Sequence, residues 1–195
     1  MSKDIRLIDT TLRDAHQCLW ATRMTTAMMK ETIPLLDRAG FEAIDLVGGA
    51  VFDVCARFLR EDPWERMRIA SSWVKETPLI VHTRGQSLFT FELFPDDIVE
   101  LAAERFMANG MRYHTIYEPL NDIRNLEVPI RASRKVGLHV VAGLVYSHSP
   151  VHTDEYYVRK AKEIIAVGVD GIFPLLYAHS IHRCEQGYGN TQDLP

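Results

Sequence analysis

The stretch Ile5-Arg6-Leu7-Ile8-Asp9-Thr10-Thr11-Leu12-Arg13-Asp14-Ala15-His16-Gln17 decides how this chain is read. A short apolar run, Ile5 to Ile8, passes directly into a dense polar cluster. The run has the length and the Ile and Leu content of a buried strand. The cluster then falls at the strand's carboxyl end, where α/β proteins bind their ligands. Arg13, Asp14 and Gln17 offer a guanidinium fork, a hard carboxylate oxygen and an amide in close succession. That set suits a divalent metal and a small carboxylate held together. A polar loop in which Asp14 caps the next helix accounts for the same residues, and spacing alone does not separate the two.

Composition narrows the setting. The chain has 195 residues, which fits one domain or a piece of one. Hydrophobic residues make up 47%, enough for a packed core. With 22 basic against 26 acidic side chains the formal charge is −4, so there is no basic surplus to recruit nucleic acid. No apolar run approaches the roughly 18 residues of a membrane span. The segment Met1 to Asp4 runs at once into a strand, without the apolar region of a signal peptide. Cys18, Cys55 and Cys184 show no paired spacing, as expected in a reducing cytoplasm. Cys55 reads as a small buried hydrophobe.

Strands and helices then alternate along the chain. Thr25 to Ala39 has helical spacing with Gly40 as its cap, and Pro34 predicts a kink or a later start. Phe41 to Val47 reads as a buried second strand, ended by Gly48-Gly49, either a plain tight turn or a place where a ligand approaches closely. Val51 to Arg60 is helical, and Asp62-Pro63 opens a further helix with Asp62 as cap and Glu65 at the third position. Pro78 to Thr83 is strand three, followed by Arg84-Gly85-Gln86. Pro95-Asp96-Asp97 starts a helix closed by Asn109-Gly110. Tyr113 to Tyr117, a helix over Ile123 to Val136, His139 to Tyr146, a helix over Asp154 to Val167, and a strand from Val169 to Phe173 complete the series.

This alternation implies a parallel sheet. Polar clusters recur after strands one, three, four and five, and in a (β/α)8 TIM barrel such loops share one face. An open doubly wound sheet is the alternative, but no glycine-rich phosphate loop is present. Six strands fall short of a closed barrel, so the expectation is an incomplete one over residues 1–177, with 178–195 as an irregular tail.

The motif Asp9 to Gln17, continued by Ala21-Thr22-Arg23-Met24, resembles the carboxyltransferase domain of biotin-dependent carboxylases. Pyruvate carboxylase, the oxaloacetate decarboxylase alpha subunit and the transcarboxylase are its named members. The likeness runs on through Gly48 to Val54, Arg57 to Arg66, Arg84-Gly85-Gln86, Pro95-Asp96-Asp97, Asn121-Asp122 and Ser149 to Thr153, covering roughly residues 5 to 171. The resemblance implies a metal-dependent TIM barrel, like that of the acyl-CoA lyases. It implies Asp14 as a ligand of a divalent metal (Zn, Mn or Co), with Arg13, Gln17 and Arg84 around pyruvate or oxaloacetate. Carboxybiotin would arrive on a separate carrier domain or subunit, and carboxyl transfer or decarboxylation would pass through a stabilised enolate. An oligomer is expected.

The sequence also departs from that family. Its metal-bridging lysine would fall where this chain reads Phe173-Pro174-Leu175-Leu176-Tyr177, and its metal-binding His-x-His pair would follow one strand later. The expectation is therefore a carboxyltransferase portion that is inactive alone, a truncated or frameshifted piece. His179, His182 and Cys184 read as a polar tail rather than a second metal cluster. Two alternatives remain: a non-catalytic partial barrel that assembles with a partner, and another metal-dependent lyase or condensing enzyme. Of the other histidines, His16 and His152 lie in site loops, as supporting or capping groups, and His114 and His139 read as core or edge residues.

Overall fold

A computed structural model describes residues 5–176 of the chain. Six strands form one sheet: β1 (Ile8–Asp9), β2 (Ala43–Val47), β3 (Leu79–Thr83), β4 (Met111–Tyr117), β5 (His139–Tyr146) and β6 (Gly171–Leu176). All neighbours pair parallel, and their order in space is their order in sequence. A doubly wound sheet reverses direction at a switch point, so this unreversed order excludes it and is that of a barrel wall. The architecture is an incomplete TIM barrel. The proposed tail, with His179, His182 and Cys184, lies outside the described residues. No helix among the described residues is long and apolar enough to cross a membrane.

The helices are α1 (His16–Leu19), α2 (Thr26–Met29), α3 (Ile33–Asp37), α4 (Gly49–Val54), α5 (Pro63–Trp73), α6 (Asp96–Ala108), α7 (Glu127–Lys135) and α8 (Asp154–Val167). Strand register assigns the two faces of the sheet. Ile44, Leu79 and Met111 share one face, as do Ile116 and Ala142, and this face packs on the helices. Met29, Ile33, Met67, Ala70 and Phe106 meet it on the β1–β3 side, and Ile130 and Ile164 on the β5 side, all fully or almost fully buried. The opposite face, the interior of the barrel wall, carries Asp45, Ile80 and Tyr113 in one row, and Tyr117, Gly143 and Phe173 in another.

Three expectations need correction. The run Ile5 to Ile8 is not a buried strand: β1 is Ile8–Asp9, and Ile5, Leu7 and Ile8 are 82%, 62% and 50% exposed. β1 is the sheet's edge and pairs with β2 alone, so nothing among the described residues covers its far side. The helix predicted over Thr25 to Ala39 is two helices. Thr25 caps α2, and Pro34 sits in the first turn of α3, where its missing N–H costs nothing. The helix after Gly48 widens into a π-turn over Cys55–Leu59 and stops at Arg60, which takes a left-handed conformation at φ 56°.

His114 is the satisfied core residue expected. Its Nε2 lies 2.8 Å from Thr83 Oγ1 and its Nδ1 lies 2.6 Å from Ser133 Oγ. Ser133 donates its own proton to the Pro129 carbonyl, so the imidazole donates through Nδ1 and accepts at Nε2. Burial lowers its pKa to about 3, which keeps the ring neutral. His139, by contrast, lies at the exposed start of β5 against the Tyr113 ring.

The largest buried side chain is a cation. Arg66 on α5 donates from Nε to Thr26 Oγ1 at 2.9 Å, and from Nη2 to the Met24 carbonyl at 2.9 Å and to Glu61 Oε2 at 2.6 Å. Glu61 in turn accepts from the Thr26 amide and hydroxyl. This network ties α5 to the entry of α2. Removing one partner of a buried pair strands the other charge, at a cost of about 3–5 kcal/mol. Arg66→Ala is therefore expected to lose stability on that scale in urea denaturation, and an unchanged midpoint would refute the assignment.

Candidate active site

The site is built where β1, β2 and β3 end. After β1 the chain makes a single wide π-turn over Thr11–Ala15 in which the Thr10 carbonyl accepts from the Asp14 and Ala15 amides. Asp9 fixes the start of this turn: its carboxylate accepts from the Thr11 amide at 3.1 Å and the Thr11 hydroxyl at 2.9 Å. Leu12, fully buried, anchors the turn in the core. That geometry aims Arg13 over the sheet. Asp14 does not cap the following helix, since α1 has no side-chain cap.

Arg13 lies between two carboxylates. Its Nε donates to Asp45 Oδ2 at 2.7 Å and its Nη1 to Asp14 Oδ1 at 2.9 Å. The Asp45 side chain is 5% exposed, and its Oδ1 has no partner. Burial raises the Asp45 pKa to about 6, against the opposing pull of Arg13. Sequence reasoning passes over Asp45 as part of a buried strand. A signal is available, because it is the one ionisable residue among five wholly buried positions of β2, and a charge there is rare without a partner.

Gly48 and Gly49 follow directly. A Cβ on Gly48 would come within 3.1 Å of Arg13 Cδ, and a Cβ on Gly49 within 2.6 Å of Arg84 Nη1. The pair is thus no plain turn. Its missing side chains let two arginines lie over adjacent peptides. Arg84, at the end of β3, donates from Nη1 to the Phe89 carbonyl at 2.8 Å and stacks on the Phe91 ring at 4.5 Å. The loop that carries it turns at Leu88, whose φ of 50° and ψ of −109° are strained for a side chain of that size. Gln86 secures the loop by donating to the Phe94 carbonyl and to Asp96 at the start of α6.

His82 completes the floor. It lies beside Tyr117 and Phe173 on the interior face, with ring centroids 5.1 and 6.1 Å away. Burial first, then the positive charges of Arg13 and Arg84, lower its pKa to about 3, so it is neutral. Sequence reasoning does not single it out, because a histidine inside a strand has no motif of its own. Gln17 lies on α1, partly exposed, with no hydrogen bond from its side chain among the described residues. His16 is 2% exposed with both ring nitrogens unpartnered. His152 bonds to Ser149 Oγ at 2.7 Å and packs on Tyr156, a local closure of its loop.

The structure thus brings Arg13, Asp14 and Arg84 to one rim, and adds Asp45, His82 and the two glycines. A divalent metal is a poorer match to these residues. The Asp14 carboxylate already faces the Arg13 guanidinium, and no three His, Cys, Asp or Glu side chains converge among the described residues. A protein metal site ordinarily draws three or more such ligands. What the rim offers is the Arg84 guanidinium over the Gly49 peptide, with the stem of Arg13 over Gly48 and its guanidinium between Asp45 and Asp14, beside a neutral imidazole; a planar guanidinium of this kind suits a small planar anion.

No protein-family model matches the chain. It is 43% identical over 168 residues to one subunit of the pyruvate carboxylase of Methanocaldococcus jannaschii, covering 86% of this chain and 30% of that protein. It is 36% identical over 170 residues to the methylmalonyl-CoA carboxyltransferase 5S subunit of Propionibacterium freudenreichii subsp. shermanii, covering 87% of this chain and 34% of that one. The fold matches the carboxyl transferase domain of Rhizobium etli pyruvate carboxylase with a TM-score of 0.86 and 27% identity, over 100% of this chain and 35% of the other. The chain spans about a third of the length of these relatives. In sequence and in fold alike, it belongs to the carboxyltransferase family of the pyruvate carboxylases and transcarboxylase, as a part of that domain.

Proposed function

We infer that this chain forms the pyruvate-binding wall of a biotin-dependent carboxyl transfer site, acting as part of a larger carboxyltransferase rather than alone. The observation that carries this reading is the pair of arginines laid over Gly48 and Gly49 at the carboxyl end of the sheet. A planar guanidinium pairs with a carboxylate through two parallel N–H donors. One arginine would take the carboxylate of pyruvate or oxaloacetate. The other would face the keto oxygen, where charge grows as the methyl carbon becomes an enolate, and where fixed donors count most. Carboxybiotin on a separate carrier would supply or accept the carboxyl group. Asp45 holds Arg13 in place, and neutral His82 adds no competing cation. No step is assigned to a metal, because the described residues do not compose its site. Decarboxylation of oxaloacetate is the same exchange in reverse.

Oxamate, an unreactive isostere of pyruvate, tests the binding wall. In an NMR titration of the 195-residue chain, Arg84→Ala is expected to weaken oxamate about ten-fold or more, the worth of a charge-assisted pair. Gly49→Ala should do the same by displacing Arg84 while keeping its charge. Equal oxamate affinity in parent and both variants would sink the reading.

Asp45 gives a second test with opposite signs. Its folded pKa, about 6, stands above the ordinary 3.8, so the folded state takes up a proton that the unfolded state binds only at lower pH. Its favourable contribution is present in full below pH 3.8 and is lost as pH rises through about 6. Asp45→Asn removes a buried charge that is unfavourable at neutral pH. At pH 7.5 it is expected to stabilise the fold by about 2 kcal/mol, a gain that vanishes below pH 4. It should weaken oxamate at the same time, because Arg13 loses its anchor. Urea titrations across pH, paired with oxamate binding, check both signs.

A further inference from the structure

A groove of about 880 Å3 lies on the helical side of the sheet, between α4, α5, α6 and the loop after β3. Its floor is aromatic. Phe52 stacks on Phe89 with ring centroids 4.1 Å apart and meets Trp64 edge-on at 5.4 Å. Along α6, Ile98, Leu101, Ala102 and Arg105 line one wall at the spacing of a single helix face. Ile98 and Leu101 are 40% and 45% exposed, so the groove leaves apolar surface open to water.

One end of the groove is cationic. Arg68 donates to Asn109 Oδ1 at 2.9 Å, and Asn109 donates to the backbone carbonyl of Arg105 at 2.6 Å, so Arg68 lies against the last turn of α6, and both arginines line the groove. Of the arginines lining the groove, Arg57 is paired with Asp53 and Arg68 reaches Asp62. Arg105 has no side-chain partner among the described residues. Three guanidiniums therefore face two carboxylates, with one cation left over at the end of an apolar trough. The volume falls in the range of ligand sites, about 300–1,000 Å3, and the mix of aromatic walls with one directed charge is typical of them.

We propose that this groove is a binding site for an amphipathic carboxylate, its apolar body on Phe52, Trp64 and Phe89 and its head group on Arg105. The site is separate from the arginine pair over Gly48 and Gly49, and it stands whether or not that pair binds pyruvate. The probe is decanoate, kept below its micellar range, with decanol as the neutral control. In an NMR titration of the full chain, the indole N–H of Trp64 should shift saturably with decanoate, and that of Trp20, which does not line the groove, should not. Arg105→Ala should weaken decanoate about ten-fold and leave decanol unchanged. Absence of a saturable Trp64 shift would overturn the proposal, as would equal loss of decanoate and decanol in the variant. So would a dimer in sedimentation velocity that decanoate fails to compete, which would mean that a second copy is the true occupant.

Discussion

Parallel pairing is the constraint on which the rest of this protein depends. A strand that must run parallel to its predecessor needs a crossover, and here each crossover is helical. Two consequences follow. The helices collect on one face, which becomes the apolar core around Phe106 and Ile130. The turns that leave the strands collect at one end, so residues as far apart as Arg13 and Arg84 meet over Gly48 and Gly49. No local preference of either segment would bring them together.

Within that frame one unfavourable choice organises the rim. β2 is buried at all five positions, yet it carries Asp45. An apolar residue there would be more stable by the argument of its raised pKa. In exchange the carboxylate gives Arg13 a fixed direction, and its own Oδ1 is left without a hydrogen-bond partner. The rim thus gives up stability for geometry, as binding sites commonly do. Arg66 is the second buried charge: its Nε and Nη2 donate to Thr26, Met24 and Glu61, its Nη1 has no partner, and its contacts join two helices.

Much of this is legible in the sequence, and the misses have physical causes. β5 and α8 have the bounds that the sequence predicts, because both are long, and α8 has a clear cap at each end, with Thr153 accepting from the Tyr156 amide and Gly168 in a left-handed conformation. β1 is shorter than its apolar run, because such a run signals a strand but cannot tell an edge from a centre. α2 and α3 look like one helix in the sequence, because apolar spacing persists across the break that Pro34 only hints at. At the rim, Arg13 and Arg84 are legible as polar residues after strands. Asp45, His82 and the use of the glycine pair are less so, since each acquires its role from a neighbour far away in the sequence. Asp14, expected as a metal ligand, lies half-exposed on the same rim with Oδ1 on Arg13.

Phe89 takes part in both the groove and the rim. Its ring belongs to the aromatic floor on the helical side, and its carbonyl holds Arg84 on the other. The peptide unit is planar and stiff, and the residue before it, Leu88, already sits at a costly backbone angle. Phe89 therefore has two duties: its ring is part of the aromatic floor and its carbonyl accepts from Arg84 Nη1, so a backbone change there reaches both.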